Sequence, residues 1–571
     1  MVSLKTPAGF PLSTRKIAST TSHARVAYWH YRSQAFPFAS SLKPPTSESN
    51  VFAVDQGIIE TEIESISTQK SMREPSGTFD ITLLPSRNWR QVLAPGDWLV
   101  IYLFNSVEEK FQFHNKNVVM FGNVDRVARV RQKDQQTDKT TVRYHISGRD
   151  FGKVFEDTDV FFNPYAGVFK NPALINTYLQ QRGLPLAGTP AEFVSDLIDV
   201  FLSADGAQLH NPDLGPAATE PLNQWKIPTE VSQFFQGGGT SFHDVLAKAI
   251  DEDLPGYKSR SVLTPNSNGG LWGQLKKNAN ELVNHLYCDL VREDGGAVKP
   301  TITLRSIPTS PFFIDIPGQL EGTSASLQDL AEESFVEISP NEIMYENIGR
   351  DGNYRFNHVW VVPKLADKSA AVNQFANAMN LGGIGLPMQS TESMQRYGMK
   401  KYDGVLEFIY KQQNKDINLD ILLYKSFLNL IYDLHAYHHC YETGSLETSG
   451  VLEAELGKVL RVASPNAQSV ASGIAGVPGQ LVGSPAKLYL IEGYQHEWKF
   501  PGQWVTTFQV TMGQWENRAA PFIDLPPEDF GQFDSDFDKT SLVKTVVRRP
   551  GNAPVTASLS EKLISDLKGL V

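Results

Sequence analysis

Between Val51 and Asp150 apolar and polar residues alternate with a period of two. Ile59, Thr61 and Ile63 alternate with Glu60, Glu62 and Glu64, and Phe79, Ile81 and Leu83 alternate with Thr78, Asp80 and Thr82. Alternation sends successive side chains to opposite faces, so these stretches predict half-buried strands. WLVIYL (98–103), VVMFG (118–122) and VRYHIS (142–147) predict three more. The first two are apolar on both faces, as in a sheet covered twice or curled into a barrel. Pro75-Ser76-Gly77 and Pro95-Gly96-Asp97 supply turns between them.

The spacing then becomes helical. Within 191–203, Phe193, Leu197, Val200 and Phe201 form one stripe. Ser241 and Asp244 have capping-box spacing and predict a helix over 241–250 that buries Val245, Leu246 and Ile250. A third helix is expected within 271–287, and TITLRSI (301–307) returns to period two. The expected plan is a β-domain at 51–159, completed by 296–325, with a helical domain inserted at 160–295.

A second β-domain is expected at 335–365 and 450–515, interrupted by a helical insertion at 366–449. Its strands are FVEIS (335–339), HVWVV (358–362), VLEAELGKVLRV (451–462), LYLIEGYQHEW (488–498) and WVTTFQVTMG (504–513). The uncharged small-residue stretch 464–486 predicts a long loop of the kind that is functional or disordered. MFGNVDRV (120–127) with TVRYHISGRD (141–150) resembles LIEGYQHEW (490–498) with TTFQVTMGQ (506–514). Each pair reads as a strand, a bend and a returning strand that closes on glycine, so two copies of one β-module are inferred.

Both ends of the sequence lie outside these modules. Residues 1–50 carry Lys5, Arg15, Lys16, Arg25, Arg32 and Lys43 against Glu48 and show no sustained period. They read as an extended N-terminal arm lying along a neighbour, or as a floppy terminus. Residues 516–571 read as a linker, acidic and then basic, before a short helix. Its stripe of Leu563, Ile564, Leu567 and Leu570 behind a Ser560 cap is expected to dock on a partner; a frayed tail is the alternative.

Composition narrows the classes. The 571 residues are 41% hydrophobic and 20% charged, an ordinary globular balance with apolar content for more than one core. A net charge of −11 argues against a general nucleic-acid coat. Two cysteines, Cys288 and Cys440, exclude a disulfide framework. The first residues lack the apolar run of a secretory signal, and Ile417–Leu434 is interrupted by Asp420, Lys425 and Asp433. No membrane span is therefore expected, and synthesis in a cytoplasm is.

GTFDITLLP (77–85), APGDWLVIYL (94–103), VMFGNVDRV (119–127), YHISGRDFGKVFEDTDVFFNP (144–164) and GYQHEWKFPGQWVTTFQVTMGQ (493–514) resemble the tail or baseplate hub proteins of tailed bacteriophages. The resemblance runs over about 51–515. It implies an α+β, β-dominated fold with two tail-tube-like β-barrel domains and helical insertions. It further implies a homotrimer that adapts a sixfold tail tube to a threefold central spike. The implied partners are the tube protein, the spike, and tape-measure and baseplate wedge proteins, in the baseplate of a virion. The genome would pass through the lumen unbound, and a contractile tail is the preferred setting.

Candidate chemistry is thin. His435, His438, His439 and Cys440 carry ligand atoms, but a zincin needs a glutamate where Ala436 stands. These residues read equally as the end of a helix over 416–438, where histidine suits the dipole. No wall-degrading carboxylate spacing, H-x-H pair or GxSxG motif occurs, and neither cysteine starts a helix. DSDFD (534–538) lacks the later positions of a calcium loop, since Lys539 and Thr545 stand at them. No catalytic, cofactor-binding or metal-ligating residue is assigned, no cofactor is implied, and the protein is expected not to be an enzyme. Glu60, Glu62 and Glu64 would share one strand face, either solvated or lining a lumen that repels DNA. The rival class is a carbohydrate-binding surface module, which tryptophan and tyrosine would suit; Trp98, Trp360 and Trp504 read instead as core.

Overall fold

The computed structural model describes residues 22–32, 53–105, 115–133, 140–158, 189–202, most of 225–251, 270–308 apart from 294–296, 327–363, 388–406, 431–435 apart from 433, 441–463 and 486–515. The fold is α+β and β-dominated.

The first module has seven strands: β1 (His23–Arg32), β2 (Ala53–Ile59), β3 (Ile63–Ser71), β4 (Thr78–Leu83), β5 (Trp98–Phe104), β6 (Val118–Lys133) and β7 (Thr140–Asp150). They lie in the order β2-β1-β5-β6-β7-β4-β3, with antiparallel ladders throughout. β2 and β3 are consecutive in sequence yet stand at opposite ends of this order. Six strand spacings in a flat sheet would separate them by about 29 Å, whereas the link from Ile59 to Ile63 spans at most about 14 Å. The sheet must therefore curl until its ends approach. Ile59 and Ile63 accordingly share one core with Ile81, Ile101, Met120 and Ile146. Among the described residues the module is a curled sheet, with no ladder joining β2 to β3.

β5 is buried at every position. Leu99, Ile101 and Leu103 face the inside of the curl, while Trp98, Val100, Tyr102 and Phe104 pack outward against the inserted region. Its two apolar faces thus have two separate cores, as its sequence predicts.

The arm expected at 1–50 is corrected at His23–Arg32. These residues form β1, flanked by β2 and β5, and Val26, Tyr28 and Trp29 are buried. The remaining residues of 1–50 lie outside those described.

The inserted region contains α1 (Lys153–Asp157), α2 (Pro190–Leu202), α3 (Thr229–Phe234), β8 (Ala247–Ile250), α4 (Leu271–Ala279), β9 (Asn284–Arg292) and β10 (Val298–Ser306). Two expectations change here. The capping box at Ser241 and Asp244 forms, but it opens a single 3-10 turn followed by β8, because a parallel ladder to β10 engages that backbone. β10 does not complete the first β-domain; it is the centre of a separate sheet, β8-β10-β9. That sheet and the helices α2 and α4 share one core with the outer face of β5.

The second module uses β11 (Phe335–Ile338), β12 (Ile343–Gly349), β16 (Glu442–Ser449), β17 (Val459–Val462), β18 (Lys487–Lys499) and β19 (Gln503–Trp515), with α5 (Leu327–Glu333) packed on it. β13 (His358–Pro363), expected within it, instead forms a small sheet with β14 (Met388–Gln389) and β15 (Lys401–Leu406), near α6 (Thr391–Tyr397). β16 falls inside the expected helical insertion 366–449, yet it lies between β12 and β19. The stretch 451–462 is strand only from Val459 onward. The two repeat units predicted from sequence are both long antiparallel hairpins, β6–β7 and β18–β19.

β18 also pairs antiparallel with β3, from Gly493 opposite Ser71 to Lys499 opposite Ser65. The two modules are thereby one continuous 13-stranded sheet.

Candidate functional site

The densest cluster of buried charge lies where the two modules and the insert meet. Lys70 of β3 is buried, and its Nζ lies 3.0 Å from Oδ2 of Asp150 at the end of β7 and 2.9 Å from Oδ1 of Asp289 on β9. The same Asp289 oxygen accepts from the Tyr494 hydroxyl of β18 at 2.8 Å, and its Oδ2 accepts from the Leu456 amide at 2.6 Å. One carboxylate thus ties the insert to both strands of the inter-module ladder. Burial alone would lower the Lys70 pKa, but Asp289 and Asp150 together outweigh it and push the ammonium up to about 12. Two carboxylates face one ammonium here, and burial raises Asp150 above the ordinary range.

Nearby groups are chemically quiet. Burial, reinforced by the Asp150 charge, pushes the Cys288 thiol well up, which removes the thiolate a nucleophile needs. Burial pulls His285 and His496 down to about 3, so both are neutral at ordinary pH. His496 Nδ1 lies 2.9 Å from the Thr506 hydroxyl.

The insert is also tied to the second module directly. The Arg292 amide donates to Glu455 at 3.2 Å, while a guanidinium N–H of the same arginine donates to the Val118 carbonyl of β6, in the first module, at 2.9 Å. Arg305 donates to the Gly457 carbonyl.

The motif GRDFGKVFED (148–157), which carries the most specific part of the resemblance, is accounted for by packing. Arg149 reaches Asp125 at 3.0 Å, Glu156 at 2.6 Å and Asp157 at 3.3 Å. Lys153 reaches Asn123 at 2.9 Å and Asp125 at 2.7 Å. Burial would raise the Asp125 carboxyl, but the hydrogen bonds from Arg149 and Lys153 outweigh it and hold it below its usual range. A Cβ on Gly152 would lie 1.8 Å from the Pro75 carbonyl oxygen, and one on Gly148 would lie 2.2 Å from that of Asn123. The glycines let α1 seat against the 75–77 turn and let β7 close on β6.

The acidic strand face expected at Glu60, Glu62 and Glu64 does not form. The chain reverses at 60–62 between β2 and β3, and each carboxylate has its own arginine. Glu60 pairs with Arg25, Glu62 with Arg87 at 3.3 Å and Glu64 with Arg143 at 2.6 Å. Three neutralised pairs make no repulsive lining.

Trp98 and Trp504 are buried, as expected of core residues. His435 stacks on Tyr402 with ring centroids 4.0 Å apart, while His438, His439 and Cys440 lie outside the described residues. Among the described residues there is no group of three potential metal ligands, and no helix is long and apolar enough to cross a membrane. The loop 464–485, the acidic segment 534–538 and the helix expected at 560–570 also lie outside the described residues.

The junction itself escaped sequence reasoning. Lys70 sits in a polar-looking run, STQKS, and Asp289 follows Cys288 inside an apolar one. The legible signal was Asp289, a charge within a strand otherwise apolar on both faces.

No family model matches the chain, and no curated protein does. Solved structures similar to it include the tail protein from Neisseria meningitidis MC58, at 10% identity and a TM-score of 0.39, covering 80% of this chain and 93% of that one. The 43 kDa tail protein of prophage MuSo2 from Shewanella oneidensis is similar at 10% identity and a TM-score of 0.38, covering 80% and 95%. A third is an Escherichia coli component of the type VI secretion system, described as similar to the T4 bacteriophage tail proteins gp27 and gp5. It matches at 7% identity and a TM-score of 0.33, covering 79% and 73%. With scores this low, the likenesses assign neither ligand nor partner to the chain.

Proposed function

We propose that the chain is a structural hub of a phage-type tail or baseplate. Three copies surround a channel and adapt a sixfold tube to a threefold spike. The observation that carries this reading is the β3–β18 ladder, which fuses two hairpin-based modules into one sheet. A subunit holding two similar units at a fixed angle presents six of them when three copies close about one axis. The buried Lys70–Asp150–Asp289 cluster supports the same reading, because it holds that angle from inside.

On this reading the tube protein stacks above and the spike below, with tape-measure and baseplate wedge proteins as further neighbours, in the virion of a contractile tail assembled in a host cytoplasm. The role needs no catalytic step, metal or cofactor. The genome passes through the channel unbound; lumen charge is left to groups other than Glu60, Glu62 and Glu64. Native mass measurement of the purified protein, followed by a symmetry-resolved reconstruction of the tail, tests it. Three 63.4 kDa chains per ring are expected. A ring of six full chains, or a protein absent from tail particles, refutes it.

A further inference from the structure

The β6–β7 hairpin outruns its neighbours. β5 pairs with β6 no further along than Asn123, and β4 leaves β7 at Tyr144. Among the described residues, Val130–Lys133 and Thr140–Arg143 therefore pair only with each other, a two-stranded ribbon about 13 Å long. Such ribbons are marginal in water on their own. This one is also basic, since 126–133 and 140–147 contain Arg126, Arg129, Arg131 and Lys133, besides Arg143 that Glu64 neutralises, and no carboxylate, within a chain of net charge −11. Arg126, Arg129 and Arg131 are exposed and form no ion pair with a described residue.

The two faces of the ribbon differ. The register puts Arg129 beside Tyr144, Arg131 beside Val142 and Lys133 beside Thr140, so three cations repeat every second residue on one face. The other face carries Val130 and Arg143 and opens on a cavity of about 480 Å³, bordered also by Lys499 and Phe500. Val130 is 41% and Phe500 70% exposed. Among the described residues, the outer edge of β6 has no third strand from Arg126 onward.

One segment of this chain matches both faces at once. Glu528–Asp538 (EDFGQFDSDFD) has five carboxylates, three phenylalanines and no cation. Laid out as a strand, Asp534, Asp536 and Asp538 fall on one face with the spacing of Arg129, Arg131 and Lys133, while Phe533 and Phe537 fall on the other. Length permits the match. β19 ends at Trp515, at the far end of the β18–β19 hairpin from Phe500, about 40 Å away. An extended chain from Trp515 covers about 45 Å by Glu528 but only about 31 Å by Asp524. β6 lies four strand spacings, about 19 Å, across the sheet from β18, and an extended chain covers about 65 Å by Asp534, so the aspartates from 534 to 538 reach the ribbon and Asp524 does not.

We propose that Glu528–Asp538 of the same chain adds to the free edge of β6 as a third strand. Its aspartates sit beside Arg129, Arg131 and Lys133, and its phenylalanines lie along Val130 toward the cavity at Phe500. Opposite charges side by side across a ladder are favourable, and an exposed edge is a template for such an addition. The inference is independent of the hub reading.

Chymotryptic cleavage of the full chain after Phe533 and Phe537 tests it, with a free peptide of residues 523–545 in the same digest as reference. Cleavage in the chain is expected to be about tenfold slower than in the peptide at low salt, with the protection largely lost at about 0.5 M salt. R129E/R131E should abolish the protection, and adding D534K/D536K to it should restore much of the protection. D534K/D536K alone, which alters no described residue, should release the segment too. Cleavage at the peptide's rate in the unmodified chain, or protection that survives D534K/D536K alone, overturns the proposal. Protection that grows with protein concentration assigns the docked segment to a second copy and overturns the intrachain assignment.

Discussion

Replacing Lys70 by methionine tests whether the buried junction holds the two modules together. The substitution keeps the apolar stem and removes the ammonium that lies 3.0 Å from Asp150 and 2.9 Å from Asp289. It leaves two carboxylates fully buried without a cation, although Asp289 retains its bonds from Tyr494 and Leu456. Breaking a buried pair in this way costs about 3–5 kcal/mol. At roughly 2–4 °C per kcal/mol for a cooperative unit of this kind, melting should fall by about 6–20 °C. Near-ultraviolet circular dichroism follows it, since Trp498 and Trp504 are buried in the core spanning β3 and β18. The triple variant K70M/D150N/D289N removes every charge of the trio and should recover much of the loss, because uncharged replacements of a buried ion cluster are often nearly neutral. If K70M melts within about 1 °C of the native protein, or if the triple variant is no better than K70M, the trio is not what fixes the junction.

The Lys70 contribution also has a defined pH window. A folded pKa raised to about 12 means stability that is complete below the unfolded value near 10.4 and lost as pH rises toward 12, so native and K70M proteins should converge in an alkaline denaturation series. Arg149→Ala should cost about 1–2 kcal/mol at neutral pH, a partly exposed network being worth less than a buried one. Asp125 is held low in the fold, so that difference should be present above about pH 4 and fade as acid protonates the carboxylate, as urea titrations at several pH values would reveal. Gly152→Ala forces a methyl group to within 1.8 Å of the Pro75 oxygen. It should lower melting by an amount equivalent to about 3 kcal/mol or more, and an unchanged melting temperature would disprove the close approach.

What the sequence reveals here depends on how burial is distributed across each strand. β5 was legible because both of its faces are apolar, so its double burial is written in WLVIYLF itself. β1 was not, although it is equally central. HARVAYWHYR buries Arg25 and half-buries His30, and these charges made the stretch look like a basic arm. Their partners are far away in sequence: Arg25 pairs with Glu60, and His30 lies 2.8 Å from Asp97. A charge neutralised by a distant residue cannot be told from a solvated one by local pattern. The alternation through Glu60, Glu62 and Glu64 misled for a related reason, since β2 and β3 are in phase across the turn that separates them. The same rule explains why no catalytic site emerged from the most distinctive motif. In GRDFGKVFED, Arg149 and Lys153 are held on Asp125, Asp150 is held on Lys70, and Gly148 and Gly152 permit backbone contacts that no side chain would allow. Each polar group in that set is already engaged by a neighbour inside the fold, and none is left facing a substrate. A motif made of such residues specifies how a hairpin, a helix and a junction lock together. Substitutions in it are therefore expected to be read first in the melting of that junction.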